Sequence, residues 1–97
     1  MIDIKTIARL LNFDIELKYY YHYNKPPRWI SSIRYWEVMV PPAGLGSICG
    51  RGNTPIEALN NLCKNLAGQT IVKHASSKEK RFEYIVPIDL IYINNEV

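Results

Sequence analysis

The eight residues Gly50-Arg51-Gly52-Asn53-Thr54-Pro55-Ile56-Glu57 constrain this chain more than any other stretch. Thr54-x-x-Glu57 is a capping box: the hydroxyl accepts from first-turn amides, and the carboxylate reaches back to the Thr54 N–H. Pro55 falls at the first helical position, where a missing N–H costs nothing. Ile56, Leu59, Leu62, Cys63 and Leu66 then recur as one apolar face, leaving Asn60, Asn61, Lys64 and Asn65 to solvent. Gly68 ends the helix as a left-handed cap. The glycines ahead of Thr54 mark the end of a twisted or bulged strand. A strand-to-helix step therefore sits in the middle of the 97 residues and organises both sides of it.

Before that step the hydrophobic period changes from helical to extended. Ile4, Ile7, Leu10 and Leu11 recur at three and four residues, so a helix is predicted from Asp3, as its cap, to about Asn12. From Asp14 to Tyr23 the period is two. Ile15, Leu17, Tyr19, Tyr21 and Tyr23 form the face expected against the helices, and Glu16, Lys18, Tyr20 and His22 the other. Asn24-Lys25-Pro26-Pro27 should break this strand. Arg28 to Arg34 reads as an irregular loop or the start of a second strand. Tyr35 to Val40 is a strand with Trp36, Val38 and Val40 on one face; Pro41-Pro42-Ala43-Gly44 turns it, and Leu45 to Arg51 returns as a third.

After the second helix, Thr70 to His74 and Arg81 to Val86 are extended around a polar turn at Ser76–Lys80. Ile88 to Ile93 forms a short strand or a packed tail. The expected class is α+β, with an antiparallel sheet of three to five strands packed against two helices in the order α-β-β-β-α-β-β. No linker or repeat divides residues 1–97, so one domain is expected.

An apolar share of 47% with 22% charged is that of a folded globule, and a net charge of +3 permits an anionic partner without demanding one. No apolar run approaches a membrane span, and the N-terminus lacks the basic and apolar regions of a signal peptide. The cytoplasm is the expected location, with no membrane partner. Cys49 and Cys63 are too few for a disulfide scaffold and read as reduced core thiols.

Helix, three strands and helix, with Gly50-x-Gly52 before the second helix, resemble the double-stranded-RNA-binding-domain-like fold. Trp36 to Gly68 also resembles the strand–turn–helix of HicB-type antitoxins. In the RNA binders the second helix opens with paired lysines aimed at phosphates; here Pro55 and Ile56 hold those places and acidic Glu57 follows. The resemblance thus implies the fold and not the RNA activity. The small size and the Asn- and Tyr-rich composition resemble those of bacteriophage accessory proteins.

Chemistry-bearing motifs are sparse. Gly50-Arg51-Gly52 lacks the Lys-Ser/Thr of a phosphate loop and the third glycine of a dinucleotide fingerprint. The carboxylates are scattered singly, and Cys49, Cys63, His22 and His74 do not make a metal-ligand set. The expectation is a non-enzyme with no cofactor, metal or catalytic residue. The uneven feature is aromatic and basic together between Lys18 and Trp36. Alternate aromatics filling the core explain Tyr19, Tyr21 and Trp36, but leave others facing outward. Tyr20, His22, Arg28, Trp29, Arg34, Tyr35 and Arg51 are the candidate partner-binding residues, since Tyr, Trp and Arg anchor protein interfaces. The expected function is a phage-type binding protein that blocks or sequesters a host component, such as a defence nuclease or its small nucleotide signal. The alternative is a nucleic-acid module that stacks bases and neutralises phosphates on the same surface.

Overall fold

The computed structural model describes residues 1–42 and 44–94. The middle of the predicted Pro41–Gly44 turn, at Ala43, lies outside the described residues. The chain runs β1 (Ile2–Asp3), α1 (Ile4–Leu11), β2 (Ile15–His22), β3 (Lys25–Ile33), β4 (Glu37–Val40), β5 (Gly44–Gly46), β6 (Cys49–Gly52), α2 (Pro55–Leu66), β7 (Thr70–Lys73), β8 (Phe82–Ile85) and β9 (Leu90–Ile91). The class is α+β, with two helices against antiparallel sheets.

Both helices begin and end on their own residues. The Asp3 carboxylate accepts from the Lys5 amide, and Asn12 takes the left-handed conformation that closes α1. Thr54 Oγ1 accepts from the Glu57 amide at 3.1 Å, and Pro55 occupies the first turn of α2. Gly68, at φ +76°, turns the chain just beyond that helix and sends its N–H to the Val86 carbonyl.

The sheet is not one layer. β2, β3 and β6 make a three-stranded antiparallel sheet; β5, β4, β7 and β8 make a second; β1 and β9 pair in parallel and tie the two ends of the chain together. Leu45 to Arg51 is accordingly two strands. β5 pairs with β4, the chain crosses at Ser47 and Ile48, and β6 pairs with β3. The order therefore carries more strands than α-β-β-β-α-β-β.

The stretch read as an irregular loop or the start of a second strand belongs to β3, the longest strand among the described residues. β2 turns at Tyr23 and Asn24 and returns as β3, so the prolines do not end the extended run. Tyr20 opposes Arg28 and His22 opposes Lys25, which leaves Tyr21 opposite both Pro26 and Pro27 at a bulge. β6 reaches only as far as Trp29, so no third strand needs the prolines' missing donors.

The core gathers Ile4 and Ile7 of α1, Phe13, Trp36, Val38, Leu62, Cys63 and Leu66 of α2, Ile71, Val86 and Leu90. Trp36 is held edge-on between Phe13 and Phe82. α2 also covers one face of the three-stranded sheet at very close range. A Cβ on Gly50 would collide with the Leu62 backbone nitrogen and the Ala58 carbonyl oxygen. Ser31, fully buried beneath the helix, donates its hydroxyl to Ala58 O at 2.7 Å. Leu10 departs from the expected stripe and is exposed, because α1 buries only the Ile4–Ile7 side.

Candidate binding face of the β2–β3 hairpin

Strand register sorts the candidate residues onto two faces. Leu17 pairs with Ser31 and Tyr19 with Trp29, and Ser31 lies under α2, so these residues share the helix side. The expected parity of Ile15, Leu17 and Tyr19 is correct, but their coverage is not. α2 packs on β6 and β3, and Tyr19, Tyr21 and Tyr23 of β2 and its turn are all exposed, Tyr23 at 83%. Trp29 packs against Tyr19, with ring centroids 5.1 Å apart, and is half-buried on this side.

The opposite, outer face is built from Glu16, Lys18, Tyr20, Arg28, Ile30, Ser32, Cys49 and Arg51. Lys18 pairs with Ile30, which pairs with Arg51; Tyr20 pairs with Arg28. Tyr20 and Arg51 thus stand two strands apart, roughly 10 Å across the sheet and two residues along it. Lys18 meets Glu16 at 3.5 Å; among the described residues no ion pair engages Arg28 or Arg51. Arg28 and Trp29, neighbours in sequence, therefore point to opposite sides.

At the hairpin tip the outer face deepens into a pocket of about 170 Å³, lined by Tyr20, Tyr21, His22, Lys25, Pro26 and Arg28. His22 stacks on Tyr23, and its Nδ1 accepts from the Asn24 amide at 3.2 Å. In the neutral ring this leaves the proton on Nε2. The pocket combines aromatic walls with two cations and no carboxylate, a set that fits an anionic or planar group.

Arg34 and Tyr35 do not join this pocket. They lie at the other end of β3, six residues from Arg28, or about 20 Å. There Arg34 is spent within the chain: its Nε donates to Glu16 at 2.8 Å, its Nη2 donates to Tyr35 Oη at 3.0 Å, and its guanidinium covers the Tyr35 ring. Tyr35 is 75% exposed and holds a positive φ of 66°.

A second concavity, about 360 Å³, wraps the free edge of β6 and is lined by Cys49, Arg51, Asn61, Lys64 and Asn65. Asn61 and Asn65, one helical turn apart, donate to the Arg51 and Cys49 carbonyls at 2.6 and 2.8 Å and cover that edge. Sequence reasoning assigned these helix residues only to solvent. Their spacing beside a glycine-rich strand was the available signal. The Lys25 and Pro26 walls of the tip pocket were likewise hidden by reading the prolines as a break.

Cys49 is half-buried and Cys63 buried, and both are free. Burial, with the Asp3 carboxylate adding to it, pushes the Cys63 thiol up to about 11, which suits a packing residue and not a nucleophile. Among the described residues no three His, Cys, Asp or Glu side chains are grouped to hold a metal ion, and no helix is long and apolar enough to cross a membrane. Compared with protein-family models, curated protein sequences and solved structures, the chain matches none.

Proposed function

We propose that this chain is a non-enzymatic binding protein of the phage accessory kind, acting by occupying a surface of a host component such as a defence nuclease or its nucleotide signal. The observation that carries this reading is the hairpin tip. Tyr20, His22 and Arg28 converge with Tyr21, Lys25 and Pro26 around one exposed pocket, on a sheet whose other face is the one that α2 covers. Exposed aromatics beside cations supply contact area with little loss of side-chain freedom, and Arg adds directed donors. Tyr20, His22 and Arg28 are the anchors, and Arg51 extends the surface on the same face. Arg34 and Tyr35 form a separate, self-satisfied cluster, and Trp29 supports the hairpin from behind.

The alternative, a nucleic-acid module, draws on one specific observation. Lys18, Arg28 and Arg51 share the outer face with Tyr20, in reach of a backbone and a stacked base. Fluorescence anisotropy with single- and double-stranded oligonucleotides over a salt series separates the two. Protein docking predicts no binding, or weak binding without sequence or strand preference. Tight binding whose affinity falls steeply with salt and disappears in Arg28→Ala would establish the nucleic-acid module instead.

A further inference from the structure

β2 is an edge strand of the three-stranded sheet, and the direction of its backbone groups follows from the hydrogen bonds elsewhere in the sheet. Asn61 and Asn65 take the carbonyls of Arg51 and Cys49, so these point away from β3, and Gly50 and Gly52 point toward it. Alternation then turns Ile30 and Ser32 toward β2, where they meet Lys18 and Glu16. The Arg34 amide bonding the Asp14 carbonyl at 3.1 Å extends the same alternation. Ile15, Leu17 and Tyr19 consequently aim their N–H and C=O groups outward, and no strand among the described residues pairs with them.

Among the described residues the protection of this edge is limited to its charges, Glu16 and Lys18. The segment from Ile15 to Tyr20 contains no proline, glycine or bulge, and irregularity begins only between Tyr20 and His22. A regular, unpaired edge is self-complementary under a two-fold axis, because the same donors and acceptors face themselves antiparallel. Two registers are nearly centred on the regular segment. With Leu17 on the axis, Glu16 of each copy faces Lys18 of the other, and Ile15 faces Tyr19. With Lys18 on the axis, the two ammonium groups face each other, which opposes pairing.

We propose that two copies of this chain associate through β2, antiparallel and with Leu17 on the two-fold axis. Ile15, Leu17 and Tyr19 exchange main-chain hydrogen bonds across the seam, and two Glu16–Lys18 pairs set the register. The axis stands perpendicular to the sheet, so the two three-stranded sheets become one and both outer faces lie on the same side. A partner then meets two hairpin pockets on one continuous surface. The inference does not depend on the identity of that partner.

Sedimentation equilibrium and light scattering decide it. They are run at roughly 100 µM protein, since an interface this small binds weakly. The wild-type chain should show twice its mass of 11.2 kDa. Lys18→Glu, which sets like charges across the seam, should be monomeric, and so should Leu17→Arg, which sets them on the axis. The doubly swapped Glu16→Lys/Lys18→Glu chain should return to dimer. Lys18 is exposed, whereas Glu16 is half-buried and also pairs with Arg34, so circular dichroism checks that each variant keeps its fold. A monomeric wild type, a dimeric Lys18→Glu chain, or a folded double swap that stays monomeric would each overturn the proposal.

Discussion

Ser31 and Gly50 show how single side chains hold the helix on the sheet. Ser31 is the one buried polar residue among those described, and its hydroxyl reaches both the Ala58 and the Gly50 carbonyls. Ser31→Ala should lower stability by about 1 kcal/mol, read from chemical denaturation, since a neutral buried hydrogen bond is lost without adding bulk. Gly50→Ala places a methyl inside the backbone of α2, where no side chain can move aside. A loss of about 3 kcal/mol or more is expected, and unchanged thermal unfolding would contradict the close approach. Cys63 makes a pH prediction. Its thiol is raised in the folded state from an ordinary value near 9.0 to about 11, so the unfolded chain releases that proton first. The stabilisation is complete below about pH 9 and fades toward pH 11. Unfolding free energies of wild type and Cys63→Ala should therefore converge across that window. A constant difference would place the thiol in water.

At the scale of elements, α2 is the best test of what local sequence decides. Thr54→Ala removes the acceptor for the Glu57 amide and should cost about 0.5–2 kcal/mol with the circular dichroism spectrum retained. Caps, the Pro55 start and the Ile4/Ile7 and Leu62/Leu66 spacings were legible because each involves residues within one or two turns. The β2–β3 hairpin was not. Pro26 and Pro27 carry a strong local signal for interruption, and only the length of β6 explains why they are tolerated. The split of Leu45–Arg51 between two sheets was equally hidden, since both halves are extended and only long-range pairing separates them. The same cause limited the reading of the site. Alternation placed Tyr20 and Lys18 on one face, but the bulge and the turn position, invisible locally, brought Lys25 and Pro26 beside His22. Trp29 and Arg28 are neighbours in sequence, but a strand sends such neighbours to opposite faces. Trp29→Ala should accordingly reduce stability through lost packing on Tyr19, whereas Arg28→Ala should leave it nearly unchanged.

The whole molecule divides its labour between two sides of one small sheet. The side under α2 joins the core, and the side bearing Tyr20, Arg28 and Arg51 is the one proposed above to meet a partner. A fold of this size reaches stability by tying its termini together through β1 and β9 and by seating α2 against bare glycine backbone. These features leave the hairpin free to project beyond the helix. The most direct test is capture from a bacterial host lysate by the immobilised full chain, with bound proteins identified by mass spectrometry. Wild type, Tyr20→Ala/Arg28→Ala and Arg34→Ala/Tyr35→Ala are compared at matched thermal stability. A partner retained by wild type and by the Arg34/Tyr35 variant, but lost from the Tyr20/Arg28 variant, is the predicted result. Equal retention by the Tyr20/Arg28 variant, or loss confined to the Arg34/Tyr35 variant, would contradict the hairpin as the binding surface.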